Sequence, residues 1–116
     1  MLSRHHIEIA SMNHHYMFYE LEEFFSSVSR LGYPCVELWT APQHFFMDYR
    51  QNDPVERLSS LSEKYDVRIM GICPEQTNPK PHNMAAKDPA IQERVYAYFT
   101  RAIDVASAVG ASQVLV

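Results

Sequence analysis

Three stretches of helical periodicity in this chain each run, across a turn of a few residues, straight into a short apolar strand, and that alternation limits the folds open to it. Between residues 19 and 31, Leu21, Phe24, Phe25, Val28 and Leu31 recur at the spacing of one helical face. Glu20, Glu22 and Glu23 stand in the first turn, where the helix dipole favours negative charge, and Gly32 supplies the stop. The strand CVELW, residues 35–39, follows at once, with Val36 and Leu38 on one face and Cys35, Glu37 and Trp39 on the other. Asp53-Pro54 reads as an N-cap followed by proline at the first helical position, opening a helix that buries Val55, Leu58, Leu61 and Tyr65. That helix leads into a strand at residues 67–72, where alternation sends Val67, Ile69, Gly71 and Cys73 to one face and Arg68, Met70 and Ile72 to the other. Asp88-Pro89 repeats the helix start. Ile91, Val95, Phe99, Ala102, Ile103, Ala106 and Val109 continue it for about five turns, Gly110 ends it, and QVLV at 113–116 forms another strand. HIEIAS at 6–11 is expected to be a first short strand, with a loop at 12–18 behind it.

The resulting order, β-α-β-α-β-α-β, calls for four parallel strands in an α/β fold. An internal echo supports it: Leu31-Gly32-x-x-x-Val36-x-Leu38 returns as Val109-Gly110-x-x-x-Val114-x-Val116. Neither a phosphate-binding G-x-x-x-x-G-K nor a G-x-G-x-x-G occurs, which weakens the case for a nucleotide-binding doubly wound sheet. A (β/α)8 TIM barrel takes about 250 residues, so residues 1–116 correspond to its N-terminal half as one domain.

Composition removes other classes. A hydrophobic content of 47% supplies a core, and ten basic against fourteen acidic residues, with no basic run, disfavours nucleic acid as a partner. No stretch approaches the roughly 20 apolar residues of a membrane span, and the N-terminus has no apolar run of signal-peptide length, so a cytoplasmic protein without membrane contact is expected. Cys35 and Cys73 lack C-x-x-C spacing and read as small buried core residues.

The polar residues concentrate after the strand at 67–72. Pro74 breaks the ladder there, and a loop stiffened by Pro79 and Pro81 holds Glu75, Gln76, Asn78, His82 and Asn83. An ordinary surface connection is the rival reading. If the strand ran on, Glu75 would share a face with Gly71, whose missing side chain leaves room for a ligand or a backbone to approach. Glu37, an acid in mid-strand, needs a partner, and a structural hydrogen bond is its commoner fate. Of His14 and His15, at most one is expected to face a site, and a solvated loop is the usual outcome.

LGYPCVELW at 31–39, MGICPEQTNPKPHNM at 70–84 and the long third helix resemble the xylose isomerase-like TIM barrel family of sugar isomerases and epimerases. Within it, the C-P-E-x-T-N and H-N-M pieces are most similar to the fructoselysine 3-epimerase subgroup. The resemblance implies metal-assisted proton transfer beside a carbonyl through an enediolate, with two glutamates as base and acid and a divalent ion, usually manganese, on the substrate oxygens. It places the metal ligands and catalytic glutamates on later strands, beyond Val116. No catalytic and no metal residue is therefore expected in this chain, which alone should neither bind the ion tightly nor turn over sugar. The positions that match the substrate-facing side are Trp39, Glu75 and Asn83, with His44 a further candidate. Core packing is the rival for Trp39.

Two alternatives stand beside a sugar epimerase: an endonuclease IV-like DNA-repair enzyme of the same superfamily, and a non-catalytic half-barrel module. The repair reading wants basic residues on the loops beside the strand ends, where only Arg50, Lys80 and Lys87 occur. An uncovered sheet face and two open edges lead to the expectation of a homo-oligomer.

Overall fold

The computed structural model describes residues 7–76 and 82–116. The stiffening ascribed to Pro79 and Pro81, the candidate Asn78 and the start of the first strand at His6 lie outside them. Seven regular elements follow the expected order: β1 (Ala10–Met12), α1 (Leu21–Arg30), β2 (Cys35–Thr40), α2 (Val55–Tyr65), β3 (Arg68–Pro74), α3 (Pro89–Ala108) and β4 (Gln113–Val114), with a 3-10 turn at Asn13–Tyr16. The strands lie in the order β1-β2-β3-β4, and each neighbouring pair is parallel. Short helix-to-strand turns leave no other arrangement open, because a parallel neighbour needs a crossover. The chain thus builds an α/β half-barrel.

One apolar layer joins the helices to the sheet. Phe24 and Phe25 of α1, Leu58 and Leu61 of α2, and Tyr98, Ala102 and Val105 of α3 pack with Val36 and Leu38 of β2 and Ile69 and Ile72 of β3. Gly32 and Gly110, the two echoed glycines, have φ of 80° and 73°, the left-handed turn that ends α1 and α3 and returns the chain to the sheet. Asp66 does the same after α2 at φ 51°.

Several expectations change in detail. The first strand is confined to Ala10–Met12, since only these residues have ladder partners in β2, and Ile7 and Ile9 are exposed. Leu31 lies beyond the last turn of α1 and is exposed rather than buried. Asp53 does not cap α2 with its side chain: its Oδ2 accepts from the Phe46 amide at 2.8 Å while its own amide donates to the Phe46 carbonyl at 2.8 Å, closing the preceding loop. Asp88 does cap α3, accepting from the Ala90 amide at 2.8 Å. On α3 the buried stripe is Val95, Tyr98, Ala102, Val105 and Ala106, so Ile103 is exposed and Tyr98 takes an inner place. The last strand is two residues long, Leu115 and Val116 being exposed.

The largest correction concerns β3. Val36 pairs with Ile69 but Glu37 pairs with Gly71, so Met70 is an extra residue, a bulge of a kind uncommon in parallel sheets. The pleat changes phase there. Ile69 and Ile72, expected on opposite faces, both join the helix-side core, while Gly71 and Cys73 pass to the other side with Glu37 and Trp39.

Candidate functional site

The bulge assembles a polar inner face on the sheet. In a parallel ladder, paired residues share a face, so the pairs Glu37–Gly71, Trp39–Cys73 and Gly71–Gln113 set Glu37, Trp39, Cys73 and Gln113 side by side. The room left by Gly71 is already filled: a β-carbon built there would stand 2.9 Å from Gln113 Cγ and 3.2 Å from its Nε2. Cys35, at the start of β2, is fully buried on this face, whereas Glu37, Trp39 and Cys73 are half-buried. The expectation of a core position thus holds for Cys35 and not for Cys73.

Burial, and then the nearby Glu37 and Glu75 carboxylates, push the Cys73 thiol up to about 11. Two carboxylates therefore flank Cys73, that of Glu37 from the middle of β2 and that of Glu75 from just past the end of β3. Glu37 is half-buried and makes no hydrogen bond or ion pair among the described residues, so the structural partner expected for it is not found there.

Trp39 is fixed from behind by a residue the periodicity does not single out. Asn13, fully buried just past β1, accepts from the Trp39 amide at 2.7 Å through Oδ1 and donates to the Trp39 carbonyl at 3.0 Å through Nδ2. A lone polar residue after a three-residue strand has no periodic signal to reveal it. His14, the next residue, sets its ring 4.9 Å from that of Trp39, so one of the two adjacent histidines does reach this end of the sheet while both are exposed.

His44 is placed differently. It is 1% exposed, and its Nε2 stands 3.0 Å from the Tyr16 carbonyl and 2.9 Å from that of Tyr19. Nε2 must therefore carry the proton, which leaves Nδ1 to accept from Asn13 Nδ2 at 2.8 Å. Both ring nitrogens are committed to tying the segment after β1 to the loop after β2.

Glu75, 5% exposed, follows β3 directly and lies at the same end of the sheet as Trp39, its amide donating to Thr40 Oγ1 at 3.2 Å. His82 is buried, its ring stacked on that of Tyr98 at 3.8 Å. Asn83 is exposed and accepts from the Ala85 amide at 2.9 Å, an Asx turn that shapes the approach to α3. The structure thus brings Trp39 and Glu75 to the same end, or mouth, of the sheet, with Cys73 beside Trp39 and Glu37 two residues further back on the same face, while among the described residues the hydrogen bonds of Asn83 go to Ala85 and Ala86.

Among the described residues, no three His, Cys, Asp or Glu side chains converge on a point that a metal ion could occupy. Glu37 and Glu75 alone do not make a cage for a hard cation, which takes about six oxygen ligands. A groove of about 480 Å³ between Glu8, Gly32, Tyr33, Asp66 and Arg68 lies at the opposite, N-terminal end of the strands, the end that in barrels carries stability rather than chemistry.

Four sequential parallel strands joined by helices agree with a family model, described as Xylose isomerase-like TIM barrel, that matches residues 25–116. The chain belongs to the xylose isomerase-like TIM barrel family. No curated protein and no solved structure matches it. Membership of this generally enzymatic family agrees with the position of the mouth, since barrel active sites sit at the C-terminal face. No helix among the described residues is long and apolar enough to cross a membrane.

Proposed function

We propose that this chain contributes to a sugar isomerase or epimerase acting beside a carbonyl through an enediolate, with fructosamine-type sugars of the fructoselysine 3-epimerase kind as the first substrates to try. The observation that carries the reading is the mouth itself: an indole ring at Trp39 near the C-terminal end of β2, with Glu37 two residues before it on the same face and Glu75 just past the end of β3. A ring face takes the C–H face of a sugar, and carboxylates accept from its hydroxyls. Trp39 and Glu75 orient the substrate, and Asn83 offers its amide group to it. His44 acts only through the loop it holds. By the family resemblance, the divalent ion of such chemistry, manganese, would be held by residues on later strands of the barrel. Exposed Tyr96, Ile103 and Leu115 support association into a homo-oligomer.

The test is to incubate the intact gene product with manganese and a panel of ketose and fructosamine sugars in deuterated water. Deuterium entering the carbon beside the carbonyl, with formation of the epimer, is the expected result. No exchange on any sugar, with incision of abasic DNA instead, overturns the proposal in favour of the repair enzyme.

A further inference from the structure

Glu75 is held from the helix side of the sheet. Thr40 ends the helix-facing series Val36, Leu38, Thr40 on β2, is fully buried, and accepts from the Glu75 amide at 3.2 Å. Tyr98, on the buried stripe of α3 and fully buried itself, donates its hydroxyl to the Glu75 carbonyl at 2.7 Å. The His82 ring lies flat against Tyr98, 3.8 Å away and 14° from parallel, closing the layer over it. Both polar backbone groups of Glu75 are therefore gripped from the α3 side, while Glu75, one residue past the end of β3, continues the Gly71 and Cys73 series and its carboxylate acts on the inner-face Cys73 thiol. Burial, above all, drives the Tyr98 hydroxyl far above its ordinary range, so it stays protonated and remains a donor at any working pH.

We infer that Tyr98 and Thr40 are positioning residues, a clamp built across α3 and β2 that holds the Glu75 backbone so that its carboxylate meets the sugar in one fixed place. The inference rests on the proposed sugar chemistry and extends it to two residues that face away from the mouth. A side chain on an unsupported loop would lose binding to conformational freedom, whereas a clamped one is preorganised. The clamp also explains why α3 carries a tyrosine at a position where packing alone would accept phenylalanine.

The experiment compares Tyr98→Phe with wild type in the intact gene product, using the sugar with the highest turnover. Loss of the hydroxyl is expected to raise KM roughly three- to tenfold, the worth of one hydrogen bond, while kcat per folded molecule stays within about twofold. In a Glu75→Gln background the same change should add nothing to KM. Because Tyr98 is buried, Thr40→Val serves as a second variant with the same expected rise, and Thr40→Ser, which restores the hydroxyl, should return KM to its starting value. A purely structural role would lower the folded fraction and leave KM alone. An unchanged KM in both Tyr98→Phe and Thr40→Val, or effects that add fully to that of Glu75→Gln, overturns the clamp while leaving the sugar reading intact. A wild-type protein that neither binds nor turns over any sugar overturns both.

Discussion

The two faces of β2 and β3 are made from alternate residues of the same strands, yet they differ in kind. On the helix side Val36, Leu38, Ile69 and Ile72 are sealed under three helices at 0–1% exposure. On the inner side Glu37, Trp39, Cys73 and Gln113 keep contact with water and carry charge, amide and ring. One face holds the sheet together and the other presents chemistry, separated by one residue along the chain. Stability and function can therefore be probed at neighbouring positions.

The largest expected effect comes from the sealed face. Leu38→Ala should destabilise the fold by about 3 kcal/mol, since the cavity cannot collapse among Phe24, Leu58 and Ile72. Its neighbour Glu37→Gln should change stability by less than about 0.5 kcal/mol. Urea denaturation of the two variants checks the contrast, and equal losses would break it. The next effect is electrostatic. With the Cys73 thiol pushed up to about 11, its alkylation at pH 8 should run about a hundredfold slower than that of an ordinary thiol and rise about tenfold per pH unit up to pH 10. Removing one of the flanking charges in Glu37→Gln should speed it. Site-resolved mass spectrometry reads the rate at Cys73 alone; ordinary reactivity there would show that burial does not raise the thiol, and no change in Glu37→Gln would show that the carboxylate does not act on it. The smallest effect sharpens the boundary at β4. Gly71→Ala drives a methyl group to 2.9 Å from Gln113 Cγ, so the side chain must swing away, at a cost of about 1 kcal/mol. The two-residue β4 should then lose amide protection at Val114 and Leu115 while β2 keeps its own. Hydrogen exchange measured by nuclear magnetic resonance decides this, and unchanged protection would mean that Gln113 is not the strut at that edge.

The element order, the parallel sheet and the two glycine turns were legible because each rests on a local signal: helical spacing, a stop, an apolar run. The helix-side residues of β2 were legible for the same reason. Those of β3 were not, because a period of two assumes an unbroken pleat, and the extra residue at Met70 reverses the phase for everything after it. Tyr98 escaped notice because Phe99 beside it fits a helical stripe as well, and only the packing of α3 against the sheet chooses between them. Of the mouth, Trp39 and Glu75 could be placed from strand ends alone. Asn13 and the saturated ring of His44 could not, since both depend on hydrogen bonds between segments 26 to 31 residues apart. Asp53 shows the same limit: a good cap sequence was used to close a loop.

The bulge at Met70 has a consequence for how such a strand can vary. A substitution between Ile69 and Ile72 changes local packing but leaves the pleat of β3 in phase. Loss or gain of a single residue there would turn the rest of β3 through half a pleat, carrying Glu75 toward the helices and Pro74 toward the mouth. The site is thus guarded by the length of this short stretch more than by its letters. Exchanging side chains in it would keep the mouth, whereas changing its spacing would call for a different one.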